Sequence, residues 1–251
     1  MTMLEGQLLR IAESFWRSAR HLERQFPRDI ESAIAWSVPL FIVRLPQLYV
    51  HDVENYLRQR HLPVAIGAAD RPLHGCVIAS RGKGLIVVDG SDGVHELRFT
   101  MAHEVAHFLL DYQAPRQRAI ERLGPNIEDV LDGQRPATPE ERVHGLLANA
   151  PVGIYAHFMH RAEGNVATER IVEAESQADL LTFQLLAPET EIWRAVRKGF
   201  VQRSFPKRQK ALQRLLVRRF GLPSEAAMTY STRLCYSRFG SPSVREWLGI
   251  G

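Results

Sequence analysis

Five residues, His103-Glu104-Val105-Ala106-His107, constrain this chain more than any other stretch. They sit in a largely apolar run from Leu97 to Leu110 that reads as a helix. Two histidines four apart fall on one helical face, one turn from each other, so their imidazoles can reach a single ion. Glu104 follows the first histidine and points beside that ion, where a carboxylate can take a proton from water. Val105, Ala106, Phe108, Leu109 and Leu110 predict that the helix is buried. Buried imidazoles beside a buried carboxylate need partners, and a metal supplies one. Zinc is the ion such ligands most often hold for hydrolysis, although manganese or another divalent metal can fill the same set.

A catalytic zinc takes a third protein ligand and keeps one position open. The histidine-rich continuation of some zinc peptidases is excluded, because Leu110 and Gln113 stand where it needs glycine and histidine. Asp111, one turn past His107, would have to reach along the helix axis, which strains a tetrahedral site. A better candidate lies on a second predicted helix that begins at a Thr168 cap and is stopped by Pro188. On it Glu175 and Asp179 are four apart. Glu175 is the expected third ligand, and Asp179 the acceptor for the ring N–H that a zinc histidine does not use for metal. Glu173 faces elsewhere on that helix. An isolated acidic pair at this spacing repels itself, and a nearby cation removes the objection.

Upstream, Leu4 to Leu22 carries apolar residues at helical spacing, predicting a helix over 4–24, with a second over 28–36 and a third over 50–60. Pro39 and Pro46 imply extended or turning chain between them. Val64 to Ile66, Gly75 to Ala79 and Leu85 to Val88 read as three strands, with the turn at Arg81-Gly82-Lys83-Gly84. Ser91 or Asp92 is the expected cap of the histidine helix. Between it and the Glu175 helix stretches a long connection, 113–167, with a capping box at Thr138 and Glu141. Tyr155, His157 and His160 follow on what reads as a loop; from there they could reach a cleft and stabilise an oxyanion.

Charge separates one segment from the rest. Residues 194 to 219 hold ten of the chain's 32 basic residues and no acid, leaving 22 basic against 28 acidic residues elsewhere. Such a segment can meet nucleic acid or an acidic partner, or simply form the solvated face of C-terminal helices with Val201, Leu212, Leu215, Leu216 and Phe220 inward. The N-terminus shows no signal-peptide pattern, and the longest apolar run, Val38 to Val43, is too short to cross a membrane. Cys76 and Cys235 stand apart in apolar surroundings and read as free thiols of a reducing compartment. These features together imply a cytoplasmic protein that is not embedded in a membrane.

Two segments resemble the ImmA/IrrE-type metallopeptidases. Arg98-Phe99-Thr100-Met101-Ala102-His103-Glu104-Val105-Ala106-His107-Phe108-Leu109-Leu110 is similar to that family's R-F-T-x-A-H-E-x-x-H-x-L-L segment. Glu175-Ser176-Gln177-Ala178-Asp179, followed by Leu185-Leu186-Ala187-Pro188, is similar to its E-x-x-A-[N/D] … L-L-x-P segment. The resemblance covers about residues 50 to 235. It implies His103, His107 and Glu175 as metal ligands, Glu104 as catalytic base, and a helix-turn-helix repressor or antitoxin as the protein cleaved. This chain departs from the family in the 68 positions between His107 and Glu175, so that 113–167 looks like an insertion, and in the offset of Phe183 from the usual aromatic position. No helix-turn-helix segment precedes the motif, which makes the implied repressor a separate chain.

The expected protein is therefore α+β and zincin-like, with a three-stranded sheet against the histidine helix and a mostly helical C-terminal part. Its expected divisions are a helical extension at 1–49, a peptidase core at 50–188 and a helical part at 189–251. The expected activity is zinc-dependent endopeptidase cleavage. Its rivals are a zincin-like binder that sequesters a repressor without cutting it, and a regulator that contacts DNA through 194–219.

Overall fold

A computed structural model describes residues 3–22, 25–62, 69–148, 150–161 and 168–243. It is an α+β fold, mostly helical, around one small open sheet. The sheet has four strands in the order β1-β3-β2-β4: β1 Leu40–Leu45, β2 Leu73–Ser80, β3 Lys83–Asp89 and β4 Tyr155–His160. The expected strand at 64–66 lies outside the described residues. The three-stranded expectation is corrected by β1 and β4, which form the two edges.

Each strand has a local reason. β2 and β3 are short runs rich in Val, Ile and Leu, buried at most positions. They form a hairpin whose two-residue turn, Arg81-Gly82, takes φ of 52° and 73°, the left-handed pair that matches strand twist. β1 is the hexamer between the two prolines and runs parallel to β3. β4 joins antiparallel to β2, with His157 opposite Val77. It was hidden because two of its six residues are histidines, which mute the apolar alternation of Tyr155, His157 and Met159 on one face against Phe158 on the other.

One face of the sheet carries α3 (Val50–Arg58), where Val53 and Leu57 bury against Cys76, Ile78 and Val87. The opposite face carries α4 (Val94–His107), with α8 (Glu169–Leu186) on its far side and α1 (Met3–Ser18) against α8. Every residue of α4 from Phe99 to His107 is buried, because the helix is sandwiched between the sheet and α8. Gly75 permits that approach: a Cβ there would stand 2.5 Å from Thr100 Cγ2. The cap of α4 is Gly93, without a side-chain hydrogen bond. The expected caps are engaged elsewhere, Ser91 with Asp89, and Asp92 with His74 and Arg161. α1 stops at Ser18, short of its expected end, and the chain turns so that Ala19 and Leu22 still meet the core. α2 (Ile30–Ser37) starts behind an Asp29 cap.

Among its described residues, the connection 113–167 is built rather than loose. A π-helical turn at Phe108–Gln113 continues α4 into α5 (Ala114–Leu123), followed by α6 (Glu128–Leu131) and α7 (Pro139–Ala148). Ala119, Ile127, Val130 and Leu131 make a small core of their own, and Arg116 pairs with Asp132 at 2.7 Å and Glu128 at 3.1 Å. The capping box at Thr138 and Glu141 forms as the sequence implies. So does α8, which is capped by Thr168 and ends at Leu186.

The C-terminal part comprises α9 (Glu189–Ala195), α10 (Phe205–Phe220) and α11 (Ser224–Phe239). Leu212, Leu216 and Phe220 of α10 are fully buried, worth about 1.5–3 kcal/mol each, and its cations are exposed except Arg208, which lies over the Phe239 ring; Val201, expected inward, precedes α10 on an exposed turn. The Arg98 guanidinium fastens α4 to this part, donating to the carbonyls of Phe220 and Gly221 at 3.2 and 2.9 Å. Gly221 ends α10 with φ of 65°, and a Cβ there would collide with Arg98 Nη1. Cys76 and Cys235 are buried free thiols. Among the described residues no helix is long and apolar enough to cross a membrane.

Candidate metal centre

α4 and α8 bring the sequence candidates to one point. His103 Nε2 and His107 Nε2 are 3.1 Å apart, and they stand 3.3 and 3.5 Å from Glu175 Oε2. A tetrahedron drawn with zinc-like bonds of roughly 2.0–2.1 Å has an edge of about 3.3 Å, so these three atoms outline one face of such a site. The two imidazoles come from successive turns of α4, and the carboxylate crosses over from α8.

Each imidazole has a carboxylate on its other nitrogen. His107 Nδ1 is 2.7 Å from Asp111 Oδ2, which also accepts from the Tyr155 hydroxyl at 3.3 Å. His103 Nδ1 is 3.3 Å from Asp179 Oδ1, as expected from the spacing to Glu175, though outside good hydrogen-bond alignment. Asp111, weighed in the sequence as a ligand, is placed instead behind His107. It sits in the π-helical turn, which holds the carboxylate against the outer ring nitrogen rather than the inner one. Glu173 is exposed and engaged with Gln177.

Glu104 is fully buried. Its Oε2 is 3.0 Å from His157 Nδ1, and its Oε1 is buried with no hydrogen-bond partner. The other nitrogen of His157, Nε2, is 2.8 Å from Glu175 Oε1. His157 comes from β4 and stacks on His107, with ring centroids 3.5 Å apart and planes 20° apart. His103, His107, His157 and Glu175 thus form a cluster whose ligand atoms all lie within 4.8 Å of one another and that can hold a metal ion. Imidazoles with a carboxylate suit zinc and its first-row neighbours, and Glu104 Oε1 remains a buried acceptor without a partner beside them.

The buried charges of the cluster act strongly on one another. Burial lowers the His157 pKa, but the Glu104 charge and hydrogen bonds to Glu104 and Glu175 outweigh it and push it up to about 10. Burial likewise lowers His103, while Asp179, Glu175 and Glu104 push it up to about 9. Burial raises Glu175, but hydrogen bonds from the three histidines hold it far below the usual carboxylate range. A metal ion takes the place of such protons, since it binds the neutral imidazole and the ionised carboxylate.

His103, Glu104, His107, Glu175 and Asp179 therefore meet as the sequence implied. His157, one of three residues thought able to reach the cleft, contacts both Glu104 and Glu175. Tyr155 reaches only the Asp111 carboxylate, and His160 lies on the other face of β4 with its Nδ1 buried and unpartnered. The readable signal was the spacing of Tyr155, His157 and Met159, two apart in the manner of a strand. No family model matches the chain, and no curated protein matches it.

Proposed function

We propose that the protein is a zinc-dependent endopeptidase of zincin-like build, related in its site to the ImmA/IrrE-type metallopeptidases. The observation that carries this reading is Glu104, buried beside the His103, His107 and Glu175 face with one oxygen unclaimed. A metal site that only stabilised the fold, or only sequestered a partner, has no use for a free buried carboxylate oxygen, which costs stability.

When bound, a divalent ion supplies Lewis acidity toward a carbonyl oxygen and acidifies water toward neutrality. His103, His107 and Glu175 would hold it, and Asp111 and Asp179 would keep the two rings turned toward it. Glu104 takes the proton of the attacking water at Oε1 and returns it to the leaving amine nitrogen. The polypeptide to be cut has a template in β4. Its inner edge is paired to β2, and among the described residues its outer edge has no backbone partner, so an extended segment can add there as a further strand. A helix-turn-helix repressor or antitoxin is the proposed protein substrate, on the strength of the resemblance of the two motifs.

Co-expression with a neighbouring helix-turn-helix protein, followed by mass spectrometry, tests the reading. Defined fragments are expected with the native chain and none with Glu104→Gln; identical fragments from both remove it. A second reading has one observation behind it. Lys207, Lys210, Arg214 and Arg218 form an exposed stripe on α10 with no ion pair among the described residues. Salt-dependent binding of duplex DNA that disappears on neutralising this stripe would favour a nucleic-acid contact.

A further inference from the structure

The proposed chemistry uses Glu104 and three ligands and leaves His157 without a task, yet His157 faces two of those four residues through its ring nitrogens and stacks on a third. It is 14% exposed, lies on the face of β4 that looks onto α4, and comes from a part of the chain remote from both motifs. Its placement is not that of a fourth ligand. A nitrogen lone pair lies in the plane of its ring, so an ion held by His107 lies in the His107 plane. The His157 ring stacks face to face on His107, with centroids 3.5 Å apart and planes only 20° off parallel, so its lone pairs point past that position. Each of its nitrogens instead faces a carboxylate oxygen, 3.0 Å to Glu104 Oε2 and 2.8 Å to Glu175 Oε1.

We propose that His157 is a positioning residue. By bridging Glu104 Oε2 and Glu175 Oε1 it fixes both carboxylates and leaves Glu104 Oε1 as the one oxygen that can serve as base. This rests on the peptidase reading. A carboxylate has two equivalent oxygens, and one that rotates presents the reacting oxygen only part of the time. Tying Oε2 removes that freedom, which is what a base held in reach of its proton requires. The bridge itself is held from β4. His157 pairs opposite Val77 in the sheet, and Tyr155, two residues earlier on the same face, donates to Asp111 behind His107. The edge strand thus grips the base, one ligand and the orienting partner of another.

The test uses the full chain with zinc bound and three variants. In His157→Asn the amide nitrogen takes the place of Nδ1 and can still reach Glu104. In His157→Gln it takes the place of Nε2 and reaches Glu175 only. His157→Ala keeps neither. With a pool of quenched fluorescent peptides as probe, kcat should fall about 10–100-fold in the Gln and Ala variants, the range typical of residues that orient a metal centre. The Asn variant should recover most of that loss, and KM should stay within about twofold throughout. Zinc retention against a chelator should fall by less than tenfold in all three, and the visible spectrum of the cobalt form should be unchanged. In nitrogen-resolved spectra of ring-labelled protein, Glu104→Gln should move the Nδ1 signal of His157, and Glu175→Gln the Nε2 signal.

A tenfold loss of zinc affinity in His157→Ala, or an altered cobalt spectrum, would make His157 a ligand and overturn the proposal. Equal kcat in all three variants, or no response of Nδ1 to Glu104→Gln, would overturn it too. Failure of the peptidase reading shows separately, as a native chain no faster than Glu104→Gln on the same peptides. The ring-nitrogen signals then still decide the bridge.

Discussion

On α4, His103, Glu104 and His107 are at most 3% exposed, and each is held by a partner from another turn or another element. On α10, Lys207, Lys210, Arg214 and Arg218 are exposed and make no ion pair among the described residues. By charge count alone α10 is the more conspicuous of the two, since it falls within an acid-free segment holding ten basic residues. The structure reverses that order. Solvated cations cost a fold almost nothing, whereas buried ionisable groups are costly unless something in the folded state repays them. Burial, not charge count, marks the region where chemistry is concentrated.

The comparison breaks most readily at Glu104. Glu104→Gln should keep fold and metal while cleavage falls about 10²–10⁴-fold, the usual worth of general acid–base help. Metal analysis beside initial rates checks this, and an unchanged rate would put Glu104 on a par with the surface charges. Next comes the ion itself. Zinc at about 100 times its dissociation constant should stabilise the native chain by about 2.7 kcal/mol, read as a higher thermal midpoint. Glu175→Gln should lose most of that gain along with near-stoichiometric zinc.

Asp111 and Asp179 sharpen the comparison, because they stand at the border between buried and solvated. Removing either to Ala should weaken zinc retention against a chelator by about 10–100-fold. The Asp111 effect should be larger, since its contact with His107 is 2.7 Å against 3.3 Å for Asp179 with His103. Asp179→Asn should do less harm than Asp179→Ala, because its amide oxygen still accepts. Chelator curves that coincide with the native one would return both residues to the class of solvated acids.

Asp89 is a buried, paired carboxylate away from the candidate metal centre. Burial raises its pKa, but hydrogen bonds from Ser91, Arg161 and the Leu48 amide outweigh that and hold it at about 2. A depressed carboxylate contributes stability above its unfolded value near ~3.9, and that contribution drains away as pH falls from about 5 to 2. It amounts to about 2 kcal/mol. Asp89→Asn should therefore flatten the acid limb of the stability curve while leaving zinc binding as it is. The smallest effect belongs to α10. Replacing Lys207, Lys210, Arg214 and Arg218 by Gln should change stability by no more than about 0.5 kcal/mol each, measured by urea unfolding. A larger loss would mean that the stripe is not simply solvated.

Much of the centre was legible without coordinates because helical periodicity is local. Four-residue spacing alone sets His103 beside His107 and Glu175 beside Asp179, and the Thr168 and Pro188 signals bound the second helix within a residue. The two buried thiols and the inward Leu212, Leu216 and Phe220 followed from apolar context in the same way. Strand partnership is not local. That the segment around His157 would form an edge strand, pair with β2 across a long connection, and present its imidazole to Glu104 depends on contacts summed over the whole sheet. Residue identity and spacing along each helix determined which side chains could share an ion. Only tertiary packing decided that a third imidazole would join them, that Asp111 would stand behind His107 instead of in front of it, and that Glu104 would be left with a single unclaimed oxygen, because each of these depends on elements whose separation along the chain carries no record of their separation in space.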